Sequence, residues 1–391
     1  MTAKTHHMHN GLGWYEWMDK KTGVRKIELT GEGFLSDEDT AKLKAEFLTE
    51  DSFELLIEED CDIYAPPASD VFDMFSEPKT EEEDLADRLF LVFRKRAIAK
   101  EMCWAAWKGL RGAARPSKNR GVAGGKVDPA RFGREVERVI PVGDGTRARY
   151  VTKDGIISDT VEANMTMGGI AGYFPPTSRH PYCRATAYTR DNWELFQESW
   201  PFLQEMSKLF RELNPIRFKN QTKFIEDNQL DENGWVIPGT PYSTITVNKN
   251  FQTACHQDAG DYKSGFENFA VLEGGHDDYK GGYTVFPKFR VAFNARSGDF
   301  VGMDVAHHWH GNTPIEPAVE GKEDYERVSI VCYVRSDLEG AGTQKEEHEK
   351  YLKWRSKHRN PAEQHEYRKG VHQEEKRRDA EFMSEFGGET Q

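Results

Sequence analysis

Within Ala254-Cys255-His256-Gln257-Asp258 an imidazole and a carboxylate stand two residues apart. On an extended segment that spacing puts both side chains on one face. Alone the pattern is weak, because His-x-Asp often arises by chance. It gains weight from His310, 54 residues further on, in the run Val305-Ala306-His307-His308-Trp309-His310-Gly311-Asn312-Thr313-Pro314. Two imidazoles and one carboxylate can hold a ferrous ion and leave three positions of its octahedron open, enough for a chelating 2-oxo acid and O2. His307 and His308 compete for the distal place. Strand alternation groups His308 with His310, and the following Gly-Asn-Thr-Pro favours His310.

Seventeen residues beyond His310, Arg327 opens the apolar run Val328-Ser329-Ile330-Val331-Cys332-Tyr333. A lone Arg at the start of a strand is usually a surface residue or an ion-pair partner. After a His-x-Asp and a distal His it reads better as a planar fork that grips the far carboxylate of the 2-oxo acid bidentately. His256, Asp258, His310 and Arg327 are therefore taken together as one constellation.

Such a set needs a rigid β scaffold. From residue 241 onward the chain runs in short β-rich segments separated by Gly and Asp: 242–247, 269–272, 283–286, 290–293, 299–303 and 327–334. That rhythm predicts a sandwich or barrel. Upstream, Thr189 as N-cap followed by Trp193, Phe196, Trp200, Leu203, Met206, Phe210 and Leu213 predicts a helix supporting a sheet, with Pro201 as a kink. A second helix is expected over 85–110, from Leu89, Val92, Phe93, Ile98, Met102 and Trp107. Residues 112–125 read as a basic loop, either clasping phosphate or simply solvated. They are no P-loop, since Arg120 stands where the first Gly is required and Val127 where Ser or Thr is. The Glu81 to Asp84 run reads as a solvated helix start. His6, His7 and His9 suggest a disordered terminus rather than a metal tract.

At this point the sequence resembles a known family. Pro181-Tyr182-Cys183-Arg184-Ala185-Thr186-Ala187-Tyr188-Thr189, Thr244-Ile245-Thr246-Val247-Asn248-Lys249-Asn250, His256-Gln257-Asp258-Ala259-Gly260-Asp261, Gly281-Gly282-Tyr283 and His310-Gly311-Asn312-Thr313-Pro314 look like the TET and base-J-binding-protein dioxygenases. The likeness covers about residues 165–337. It implies a mainly β fold with flanking helices (α+β), built on a double-stranded β-helix, the jelly-roll core of 2-oxoglutarate oxygenases. It implies Fe(II), 2-oxoglutarate and O2 as cofactors, and a 5-methylpyrimidine flipped out of DNA as substrate. Residue by residue, it makes His256, Asp258 and His310 the iron ligands and places Arg327 and Ser329 on the 2-oxoglutarate carboxylate. Asp261, Tyr333, Asn248 and Arg335 become base-pocket candidates. Two departures stand out: Asn250-Phe251-Gln252 occupies a place where some members carry an Arg, and Arg335 one where others carry a His.

The expected reaction is hydroxylation of the 5-methyl group of 5-methylcytosine to 5-hydroxymethylcytosine, or further, coupled to decarboxylation of 2-oxoglutarate. Cytosine is preferred because an ionised Asp261 accepts from its exocyclic amine and repels the O4 of thymine. The alternatives are a thymine hydroxylase on DNA, an oxygenase of a free nucleotide or protein side chain, and an inactive module that binds modified DNA. Double-stranded DNA is the expected partner, with no obligate protein partner and no membrane.

The net charge of -13 sits awkwardly with phosphate binding, but it is unevenly spread. Residues 28–93 carry 21 acidic and 4 basic side chains, and 94–138 carry 13 basic and 4 acidic. The expected organisation is an acidic N-terminal region over 1–93 and a basic segment over 94–160 that either contacts DNA or is masked by its acidic neighbour. The catalytic core follows over 161–340, and a charged helix or tail over 341–391. Five cysteines without a CxxC pair argue for free thiols in a reducing compartment. The absence of an apolar run or signal peptide makes the expected location intracellular, cytoplasmic in a prokaryote or phage-infected cell and nuclear in a eukaryote.

Overall fold

The computed structural model describes residues 4–66, 80–128, 130 and 136–358. Two sheets carry the site. The larger has twelve strands, and its central run is Phe300–Met303, Glu267–Leu272, Val328–Tyr333, Thr244–Lys249 and Thr166–Phe174, each antiparallel to the next. The smaller orders Gly311–Asn312, Thr284–Phe286, Val291–Phe293 and Leu55–Ile57. The mainly β core with flanking helices expected from the sequence is therefore present, as a jelly roll.

Period-two alternation explains how the large sheet serves two purposes. Val328, Ile330 and Cys332 face the helices, as do Ile245, Val247, Ala270 and Leu272, and all are buried with Phe196, Phe202, Met206 and Phe210. Ser329, Val331 and Tyr333 face the opposite way, with Thr246, Asn248 and Phe269, into a cavity. One face is hydrophobic core and the other is a functional wall. A register slip of one residue would exchange them.

The six strand segments expected after residue 241 are all present. The helices differ from the expectation. In place of one helix over 85–110 there is a helix Glu81–Arg88, a buried strand Leu89–Arg94 and a helix Lys100–Leu110. Leu-Phe-Leu-Val-Phe is apolar at every position, as a strand covered on both faces requires, so helical spacing can be picked out of it by chance. Where one longer helix was expected from Thr189 to Leu213 there are three, Ala187–Asp191, Trp193–Glu198 and Trp200–Leu213. Thr186, not Thr189, caps the first, and Pro201 opens the last instead of kinking a longer one. The N-terminal histidines do not lie in a disordered terminus: Thr5–His9 pairs with Leu12–Met18 across Asn10-Gly11, both at positive φ, and Leu12–Met18 pairs in turn with Arg25–Leu29.

Acidic and basic segments meet. Asp62 pairs with Arg94 at 2.7 Å and with Lys26, Glu59 pairs with Lys95 at 3.2 Å, and Glu46 pairs with Lys126. The apolar cluster Asp70 to Phe75 and the tail beyond His358 lie outside the described residues. All five cysteines are buried and free, and among the described residues no helix is long and apolar enough to cross a membrane.

Candidate iron and co-substrate site

His256 lies in the loop that leaves strand Thr244–Lys249, and His310 precedes the short strand Gly311–Asn312. Their backbones exchange two hydrogen bonds of 2.8 and 2.9 Å, which fixes the rings 4.3 Å apart between centroids. Each Nδ1 faces a carbonyl, His256 that of Ala254 at 2.8 Å and His310 that of His308 at 3.3 Å. With the Nδ1 proton so engaged, each Nε2 lone pair is left for a metal. Asp258 Oδ1 stands 3.3 Å from His256 Nε2, and one ligand atom from each of the three residues falls within 4.8 Å of the others. Burial alone would raise the Asp258 carboxyl, but the hydrogen bond and charge of His256, with His310 and Arg120, hold it well below the usual range. Burial and His256 push His310 down to about 4, so its imidazole is neutral. An anionic carboxylate beside two imidazoles is the donor set that ferrous iron takes.

The other two histidines are elsewhere. His307 hydrogen-bonds Asp304 at 2.7 Å, and His308 packs edge-on against Phe289 and Phe90. Asp304 also accepts from Arg217 at 3.4 Å, so the loop that carries His310 is pinned by a buried ion pair.

The trio opens into a cavity of about 390 Å³. Its wall includes Ser329, Asn248, Asp261, Tyr333 and Arg335, so the structure brings these sequence candidates to one place. Tyr333 Oη is 3.1 Å from Thr246 Oγ1 and accepts from Arg335 at 3.0 Å. Asp261 bridges to Arg335 through the backbone. Arg327 lies behind this wall rather than in it. It is fully buried, donates to the Gly282 carbonyl at 2.9 Å, and its Nε has no partner among the described residues. Gly282 makes room for it: a Cβ there would come 2.9 Å from Arg327 Nε, and its φ of +70° is one that L residues rarely adopt. Asn250, in the segment that departs from the family, accepts the Arg327 N–H at 2.7 Å and so anchors the strand's start.

Two residues of the site are not visible as such in the sequence. Arg120 reads there as part of the basic surface loop, yet it lines the cavity, is half-buried, and its buried Nε lacks a partner among the described residues. Asp258 and Tyr333 are the groups that favour its charge, and Arg335 opposes it. Tyr279 is the other. It sits beside Arg327 and donates to Glu273 at 2.6 Å. Neither carries a local motif; only the fold brings them in.

Residues 169–336 match a family model, Tet_JBP, described as the oxygenase domain of the 2OGFeDO superfamily. That segment is a Tet/JBP oxygenase domain. Membership supplies the cofactors that the trio fits: Fe(II), 2-oxoglutarate and O2. Among curated relatives, the domain and its flanks are similar to a bifunctional helicase and thymine dioxygenase, JBP2, of Leishmania tarentolae, with 29% identity over 327 residues, which is 83% of this chain and 23% of that protein. They are also similar to the thymine dioxygenase JBP1-B of Trypanosoma cruzi, 31% identical over 227 residues, 56% of this chain and 25% of that protein. The chain spans between 15% and 25% of the length of these two and of six further curated relatives. A solved structure, NgTET1 in complex with 5mC DNA, aligns with a TM-score of 0.43 at 10% identity, covering 82% of this chain and 100% of that one.

Proposed function

We propose that the protein hydroxylates the 5-methyl group of a pyrimidine base in DNA, with thymine as the base. The reading is carried by the His256, Asp258 and His310 cluster at the floor of a cavity walled further out by Asp261, Tyr333 and Arg335. Bound iron and 2-oxoglutarate supply the oxidising chemistry, in which the 2-oxo acid leaves as succinate and CO2 and one oxygen atom of O2 enters the methyl C–H bond. The chain's own residues do the rest. Ser329 on the wall and Arg327 directly behind it, whose Nε has no partner among the described residues, take the distal carboxylate of 2-oxoglutarate, and Arg120, facing the iron ligand Asp258, supplies positive charge for its other carboxylate. Tyr333 offers a ring on which a flipped base can stack, and the buried wall keeps water from the reacting carbon.

Thymine is supported by the names of relatives at 29–35% identity from Leishmania and Trypanosoma, which are thymine dioxygenases. The preference for 5-methylcytosine expected from the sequence requires an ionised Asp261. Here burial first, and the nearby Asp258 charge second, hold the Asp261 carboxyl well above its ordinary range. A carboxylic acid donates, and the O4 of thymine accepts. The 5-methylcytosine reading keeps one supporting observation: Arg335 beside Asp261 draws it back toward the ionised form that accepts the cytosine amine. Mass spectrometry of nucleosides after incubation with Fe(II), 2-oxoglutarate and O2 decides between them. Hydroxymethyluracil from thymine-containing DNA, formed faster than hydroxymethylcytosine from methylated DNA, is the expected result. If neither forms while a free nucleotide or a peptide drives succinate release, the DNA reading fails. No succinate release with any substrate leaves a module that only binds.

A further inference from the structure

A line of alternating rings and guanidinium groups leaves the cavity of the iron site and ends at a second, smaller cavity. Tyr333 is 5.3 Å from the Arg335 guanidinium, which lies 4.7 Å from the Phe174 ring. The Arg184 guanidinium is 5.1 Å from that same ring, and Tyr182 follows at 5.8 Å. Tyr333, Arg335 and Phe174 line the iron cavity, whereas Arg184 and Tyr182 line the second one, which lies against the helix Gln344–His358. Arg184 is half-buried, and among the described residues its polar contacts are two carbonyls at 3.4 Å, with no carboxylate facing it.

The second cavity measures about 130 Å³. A cavity of about 150 Å³ accepts benzene, so this one suits a single six-membered ring. Among the described residues its one acidic wall residue, Glu347, is already engaged by the Cys183 and Gly342 N–H groups and by Lys350. Gln344 is nine-tenths buried in the wall. Its amide nitrogen donates to the Gly234 carbonyl at 2.7 Å, which leaves Oε1 as a buried acceptor without a partner among the described residues. A ring-sized space, an unfilled acceptor, a guanidinium facing no carboxylate and flanking aromatic rings describe a receptor for a nucleobase with an N–H to donate. Stacking rings combined with arginines are how unpaired strands are held without strict sequence readout.

We propose that this ladder is a track for the unpaired strand that carries the target base, and that the cavity beside Gln344 binds a second base of the same strand. The proposal rests on DNA being the substrate and adds to it where the strand runs. The ladder's four steps are 4.7–5.8 Å each, and a strand advancing about 3.4 Å per nucleotide covers such a path in roughly six nucleotides or fewer. The second base therefore lies a few nucleotides from the target.

An abasic scan tests this. Fluorescent single-stranded oligonucleotides containing one target pyrimidine, each with one abasic residue at a different flanking position, are titrated against the full chain with iron and 2-oxoglutarate in the absence of O2. Wild type should lose about tenfold in affinity when one distant position is abasic, beyond any loss next to the target. Gln344→Leu, which removes the acceptor at similar volume, should flatten that distant penalty, and Arg184→Gln should weaken every oligonucleotide and lower the salt slope by about one. Thermal unfolding checks that both variants fold, and Arg184→Lys, which keeps the charge but not the planar stack, should preserve the salt slope while still losing affinity. A flat scan in wild type, or a distant penalty that survives in Gln344→Leu, overturns the track and gives the cavity another occupant. Because the scan reads binding alone, its failure is separable from the oxidation assay: wild type can oxidise pyrimidines with a flat scan, or show the distant penalty on a base it does not oxidise.

Discussion

His308 and His310 are two residues apart and chemically unalike, which makes them a sharp test of the metal assignment. His308 is packed between phenylalanines and pushed down to about 4, chiefly by burial. His310 meets His256 and Asp258. Truncating the half-buried His308 to Ala should cost about 1 kcal/mol of stability, through its lost packing on Phe90 and Phe289, and leave iron stoichiometry intact. His310→Ala should abolish iron binding. The reverse outcome would exchange their roles. The two cations differ in the same testable way. Arg327, proposed for the distal carboxylate, should matter only when that carboxylate exists: Arg327→Lys should raise the dissociation constant of 2-oxoglutarate about ten- to a hundredfold, the loss of one charge-assisted pair, and leave 2-oxobutyrate unaffected. Arg120→Gln should weaken both 2-oxo acids, because both keep the carboxylate next to the keto group. Anaerobic titration followed by the absorption of the iron-bound 2-oxo acid reads this without turnover, and an Arg120→Gln penalty confined to 2-oxoglutarate would falsify the division.

The elements that hold these residues differ in how plainly the sequence announces them. Alternation makes the strand Val328–Tyr333 readable, because a run with Ser329 and Tyr333 on one face and Val328, Ile330 and Cys332 on the other has one sensible orientation. The His-x-Asp and distal His are legible from residue type and order. The strand Leu89–Arg94 is not, because a segment buried on both faces has no period to read, and the hairpin over residues 5–18 hides behind its histidines although Asn10-Gly11 signals its turn. Arg120 is invisible for a different reason: an arginine turned into a cavity and one turned to solvent look alike until the loop is placed. The loop 304–310 shows how an element tunes the site from outside. Arg217, from the helix Pro215–Asp227, is buried against Asp304 at 3.4 Å, and Asp304 in turn holds His307. Arg217→Met leaves that carboxylate with one partner fewer, and removing one member of a buried pair costs about 3 to 5 kcal/mol. The expected result is a lower unfolding midpoint together with weaker iron binding, since the freed loop carries His310. An unchanged iron affinity would show that the backbone bonds between His256 and His310 hold the ligand without help.

Across the whole molecule, the question is how a chain of net charge -13 approaches a polyanion. Much of the basic segment is already answered internally. Asp62 is buried and Arg94 largely so, and Lys95 and Lys126 meet Glu59 and Glu46 at the surface. Arg111 lies 3.4 Å from Glu326, Lys118 pairs with Glu162, and Arg115 is exposed and donates to the Gly112 carbonyl. These differ in what a phosphate can recruit. Arg111 and Lys118 are nearly half exposed, and Glu326 keeps Lys249, so these cations can exchange a carboxylate for a phosphate at a cost of about 0 to 1 kcal/mol, whereas the largely buried Arg94 would take from Asp62 one of its two partners, leaving Lys26 alone. Neutralising Arg111, Arg115 and Lys118 together should therefore reduce the slope of log affinity against log salt by roughly 0.7 to 0.9 for each phosphate they cease to neutralise, and leave the unfolding midpoint nearly unchanged. Replacing Arg94 by Gln should do the opposite, lowering the midpoint while the salt slope stays as it was. Binding isotherms at several salt concentrations and urea unfolding of the same variants provide both readings. If the two sets shift the salt slope alike, the acidic neighbour acts as a displaceable mask over the entire segment, and DNA reaches even the residues that the fold has paired.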